Sequence, residues 1–131
     1  SENRYFQSIL KGGNVAAKET TDFANNQSQL LTASQNEITS RAEAARKQIQ
    51  ELEKQRSQTT KEIATAKKIL AVNKQILKRI TPLATGEGAI SQIQYERQQQ
   101  EVIAKQGEVD SLTAEQQKLE ISIDRAKEEL Q

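Results

Sequence analysis

The sequence predicts an all-α protein, a long antiparallel two-helix coiled-coil hairpin with a short N-terminal helix. Three observations carry that prediction. Only 34% of the 131 residues are hydrophobic and 3% aromatic, too little apolar material for a thick closed core. Gly and Pro fall at few places, namely Gly12, Gly13, Pro82, Gly86, Gly88 and Gly107. They leave two long segments rich in Ala, Gln, Glu, Lys, Leu, Ile and Arg, the residues that favour helix. Within both segments the apolar residues step by threes and fours, and none alternates as a strand would.

Taken in order, Tyr5, Phe6, Ile9 and Leu10 fit a short amphipathic helix ended by Gly12-Gly13 and expected to pack on the open end of the hairpin. Residues 14–26 have no clear period and read as a linker. Residues 1–27 are thus a short helix and linker, and residues 28–131 the hairpin. The long helix starts at Ser28 or at the capping box Ser34/Glu37 and covers about 28–81. It would be on the order of 80 Å long, so something must bury its stripe. That stripe is a heptad seam, with Ala42, Ile49, Ile63, Leu70 and Leu77 at a and Ile38, Ala45, Leu52, Ala66 and Ile80 at d.

The tip spans 82–91. Pro82 disfavours helical geometry at Thr81 and removes a backbone donor, so the first helix stops there or continues kinked for one turn to a C-terminal Gly86. Ser91 with Gln94 forms a capping box, and Ile90 with Tyr95 holds the two positions of a hydrophobic staple. The second helix therefore begins at Gln92 and covers about 92–131. Its seam runs through Tyr95, Val102, Val109, Leu112, Leu119, Ile123, Ala126 and Leu130, with Gln98, Lys105 and Gln116 as polar members. A connection of about ten residues returns the chain only antiparallel. Reversal near Thr85 or Gly86 sets Leu70 against some part of the span Gln98–Lys105, and the register within that span stays open.

Function classes are narrowed by what the chain lacks. It has 19 Lys and Arg against 18 Asp and Glu, interspersed, for a net charge of +1, which argues against a nucleic-acid footprint. There is no His and no Cys, which removes the imidazole base, the thiolate nucleophile, zinc-finger ligation and disulfides. No enzyme is expected, and no catalytic residue, metal or cofactor. No apolar run approaches the roughly 18 residues of a membrane span. The opening Ser1-Glu2-Asn3-Arg4, without an initiator Met or a signal peptide, is what a segment of a larger polypeptide would show.

Most candidate sites reduce to ordinary features. Glu51/Glu53 and Glu128/Glu129 diverge on a helix. Gly86-Glu87-Gly88 lacks the Gly-Lys-Ser/Thr ending of a phosphate loop and reads as a turn. Gly107 falls at an outer heptad position and carries no function. Arg56, Thr59, Asn73 and Lys105 interrupt the seam and either fix register or mark a ligand or partner. Ile69, Val72 and Ile76 form a second apolar strip beside the seam. It is either a widened core face or a lateral contact between neighbouring hairpins.

A short helix, a long Gln/Ala-rich heptad helix, the run Lys78-Arg79-Ile80-Thr81-Pro82-Leu83, then Gly88-Ala89-Ile90-Ser91 and Gln94-Tyr95-Glu96-Arg97-Gln98-Gln99-Gln100-Glu101-Val102 together resemble the helical hairpin of hemolysin D family membrane fusion proteins, the periplasmic adaptors of type I secretion. The resemblance covers residues 28–131 well and the first 27 loosely. It implies a non-enzymatic part of a protein anchored to the inner membrane, working in the periplasm of a Gram-negative-type cell. It also implies a homo-oligomeric ring, an inner-membrane ABC transporter engaged through lipoyl-like and other parts not in this chain, and a TolC-type outer-membrane channel met by the hairpin tip. Arg79, Leu83 and Ser91 match the family's tip residues, and Thr81 and Ile90 complete the expected docking tip. One residue more than the family pattern lies within 84–88. The reading from a different class is a structural coiled-coil tether or scaffold with no transport role.

Overall fold

The computed structural model describes residues 2–84 and 89–131. Among them are two α-helices and no strand, α1 (Glu2–Ala84) and α2 (Gln92–Leu130). The chain divides into two compact units, Ser1–Ala44 and Ala45–Gln131. The expected reversal at Thr85 or Gly86, the Gly86-Glu87-Gly88 turn and a helix end at Gly86 lie outside the described residues.

In the second unit the two helices meet along the predicted seam. On α1, Ile49, Thr59, Ile63, Ala66 and Leu70 are buried, and Ala45, Leu52, Arg56, Asn73, Leu77 and Ile80 are half-buried. All of them sit at a or d. On α2, Val109 and Ile123 are buried, and Tyr95, Gln98, Val102, Lys105, Leu112, Gln116, Leu119 and Ala126 are half-buried. Leu70 shares a cluster with Ala66 and Val109, with Val102 and Leu112 packed against it. Val102 lies within the span predicted to face Leu70. Each buried aliphatic side chain is worth about 1.5–3 kcal/mol relative to exposure, and this seam supplies nearly all the apolar burial in the unit.

Polar members of the seam fix direction and register. Gln98 Nε2 donates to the Asn73 carbonyl at 3.0 Å and to its Oδ1 at 3.1 Å. Further along, Gln116 Nε2 donates to Thr60 Oγ1 at 2.6 Å, and Lys127 Nζ lies 3.3 Å from Glu53 Oε1. Residue number falls on α1 as it rises on α2, the contact order of an antiparallel pair. The ion pair also explains why Glu53, off the seam, is half-buried. Lys105 holds a d position by laying its stem on the seam while its ammonium reaches Glu101 and Glu108, each at 3.8 Å.

The first unit departs from expectation. The short helix ending at Gly12-Gly13 and the linker over 14–26 are absent, because α1 runs unbroken from Glu2. Nor does a helix start at Ser28 or Ser34, which both lie inside α1. Two glycines cost a helix about 1 kcal/mol each relative to Ala, a penalty that good helix formers on both sides offset. Thr20, Thr21 and Thr32, poor helix formers, turn their hydroxyls back onto the carbonyls of Ala16, Ala17 and Ser28 at 2.9–3.0 Å. Tyr5, Phe6, Ile9 and Leu10 are exposed rather than packed, as are the stripe residues Leu31 and Ile38.

At its other end α1 takes the second of the two expected courses, passing the stop at Thr81 and continuing through Pro82 to Ala84. Proline lacks only its own N–H, and just Leu83 and Ala84 follow it in the helix, so a single ladder bond is forgone.

Candidate docking site

The five predicted tip residues sit at the ends of the two helices, and the structure sorts them by what their polar atoms already do. Ser91 is the N-cap of α2, with φ −69° and ψ 154°. Its Oγ accepts from the Gln94 N–H at 3.2 Å, and the Gln94 Oε1 accepts from the Ser91 N–H at 3.2 Å. The capping box is therefore complete and α2 starts at Gln92. Ile90 and Tyr95, at the staple positions, are both half-buried. Ser91 remains exposed, and its hydroxyl donates to no acceptor among the described residues.

Thr81 is half-buried, and its hydroxyl donates to the Leu77 carbonyl at 2.6 Å. That back-bond spends the group within α1, so Thr81 shapes the helix end and offers little to a partner. Arg79 and Leu83 are different. Both are exposed, and the Arg79 side chain has no hydrogen bond or ion pair among the described residues.

Arg79 and Leu83 also continue the second apolar strip. Ile69, Ile76 and Leu83 repeat every seven residues at g, while Val72 and Arg79 hold the c positions between them. Ile69, Val72 and Ile76 are 41%, 55% and 38% exposed, and Leu83 44%. Tip and strip are thus one face of α1, a continuity that the spacing of seven from Ile69 to Leu83 makes visible in the sequence. Below the strip this face opens into a groove of about 410 Å³, lined by Lys61, Thr65 and Ile69 on α1 and by Glu108 and Leu112 on α2.

No helix among the described residues is long and apolar enough to cross a membrane. No family model matches the chain. No curated protein and no solved structure matches it either.

Proposed function

We propose that this chain is the antiparallel coiled-coil hairpin of a periplasmic adaptor, which links an inner-membrane ABC-type transporter to a TolC-type outer-membrane channel in protein secretion or efflux. The observation that carries the reading is Arg79, exposed and with no side-chain partner among the described residues, near the end of α1 and one turn before the exposed Leu83. A guanidinium donates several hydrogen bonds in a fixed fork, which suits the carbonyls and carboxylates at the end of a facing helical channel. Leu83 then supplies an apolar contact beside it, and Ser91 a hydroxyl donor. Several such hairpins in a ring would surround the channel end, in the periplasm of a Gram-negative-type cell.

The competing reading is a tether or scaffold without a transport role. It is favoured by the seam itself, which accounts for the buried residues of the second unit without a partner at the tip. Export of a cargo by the adaptor carrying Arg79→Glu separates the two. Docking predicts lost export and lost channel binding with an unchanged melting curve. Normal export overturns the docking role, and a collapsed melting curve returns Arg79 to a structural one.

A further inference from the structure

In the second unit the two helices differ in charge. Over residues 45–84 α1 holds ten Lys and Arg against three Glu, whereas α2 holds five Lys and Arg against nine Asp and Glu. The acids of that part of α1 are Glu51, Glu53 and Glu62, so residues 63–84 are cationic without a single acid. On the side of α1 turned away from the seam, Lys54, Lys61 and Lys68 hold f, Lys67 and Lys74 hold e, and Lys78 holds b. All six are exposed, and none is in an ion pair among the described residues. The other e, f and b positions between them carry only Ser, Thr, Ala and Gln, along a face about 36 Å long at 1.5 Å per residue. Lys54 and Lys61 line a shallow groove of about 410 Å³ with Ser57 and Gln58. A solvated helix face usually interleaves the two signs at spacings of three and four, but here Lys74 and Lys78 stand four apart, a like-charge spacing that destabilises a helix. The helix dipole does not offset that, because its pull fades beyond the last turn and the last turn of α1 has no basic residue. Nor does α2. Glu53 and Lys127, both at e, pair across the seam, so e faces e, and the e residues of α2 over this stretch are the uncharged Gln99, Gln106 and Thr113.

We infer that this outer face of α1 binds a flexible, linear, phosphate-bearing polymer, by charge and without reading the order of its units. Lysine meets phosphate as a compact point charge, with no demand on the geometry of its neighbours. The layout of the face selects the class of polyanion. No aromatic residue lies on α1 between residues 24 and 84, so nothing here stacks the bases of a single-stranded nucleic acid. A bilayer surface is met by helices that put an apolar face among their cations, and the positions between these lysines hold nothing larger and apolar than alanine. A DNA duplex is stiff over this length and touches a rod such as α1 only where the two cross. The e and f lysines lie about 100° apart around the helix, which suits a chain that bends to follow them. Binding of this kind is held by several weak contacts together and is screened by salt. It goes beyond tip docking and does not depend on it.

The test uses the whole chain and long-chain inorganic polyphosphate as the probe, with binding read by the anisotropy of a labelled polymer over a salt series. The affinity should fall steeply as salt rises, and monophosphate should not compete at equal phosphate concentration. Lys67→Gln with Lys68→Gln and Lys74→Gln should weaken binding about tenfold or more at low salt and flatten the log–log salt slope by about 2. Glutamine is as good a helix former as lysine, and circular dichroism checks that the helix is retained. A second variant, Arg97→Gln with Lys118→Gln and Arg125→Gln, removes the same charge from exposed positions of α2 and should bind as the unaltered chain does. Absence of polyphosphate binding, or an equal loss in both variants, overturns the inference. So does tighter binding per phosphate to phosphatidylglycerol vesicles or to duplex DNA, which would assign the face to a different class of partner.

Discussion

Ile38 and Ile63 are the same residue on the same heptad stripe of one helix, yet Ile38 is 65% exposed and Ile63 7%. The same contrast runs through the two units. In residues 45–84 every seam position on α1 is at least half-buried, whereas in residues 2–41 every described side chain is exposed. A heptad repeat is therefore a requirement for a partner rather than a core in itself. Helix propensity and i−4 back-bonds define α1 in the first unit, and packing against α2 stabilises it in the second.

The largest way to sharpen this contrast is Ile123→Ala. Ile123 is 1% exposed, so its truncation should destabilise the second unit by about 2–5 kcal/mol in urea melts. Ile38→Ala should leave the melt unchanged, and an equal loss there would mean that the first unit finds a partner in solution. Ser91→Ala removes the cap and should cost about 1 kcal/mol, seen as faster amide exchange in the first turn of α2 and no change over residues 2–44. Gly12→Ala with Gly13→Ala acts on the other unit. Nothing lies within 4 Å of either added Cβ, so each should raise local helix stability by about 0.8–1 kcal/mol. Slower exchange in the first unit, with the urea midpoint of the second unmoved, is the expected result. Smallest is Lys127→Ala, whose pair with Glu53 is 54% and 40% exposed and should contribute a few tenths of a kcal/mol that high salt abolishes.

Over residues 45–126 the seam was legible residue by residue because it depends only on period, while its predicted members Leu31, Ile38 and Leu130 beyond those bounds are exposed. Ser91 was legible because its partner is three residues away. Direction was legible too, since a short connection forces it. What escaped were balances and pairings. Gly12-Gly13 looked like a terminator because glycine often ends helices, but a cost of about 1 kcal/mol per glycine is within what flanking helix formers supply. Pro82 left a stop and a continuation both open, and near a C-terminus continuing forgoes only one bond. Glu53 with Lys127 and Gln98 with Asn73 depend on the axial register, which the turn sets and the heptad leaves free by whole repeats. At the tip, the exposure of Arg79 at c and Leu83 at g accords with the heptad phase, whereas the Thr81 hydroxyl's bond to Leu77 had no sequence signal beyond the ordinary habit of threonine in helices.

The ties between the helices have an order in time as well as in space. Gln98 meets Asn73 across 25 residues of chain, and Gln116 meets Thr60 across 56. Closing a flexible loop costs more entropy the longer the loop, so the pair nearest the turn is the least costly to form first. Each contact made there shortens the effective loop for the next. The hairpin should consequently zip from the tip toward the open end, starting beside a second helix whose first turn the Ser91 capping box already defines. Such a route needs few long-range encounters and predicts fast folding for this length. It would give substitutions at Val102 and Leu70 a larger share in the folding rate, and those at Ile49 and Ile123 a larger share in the unfolding rate.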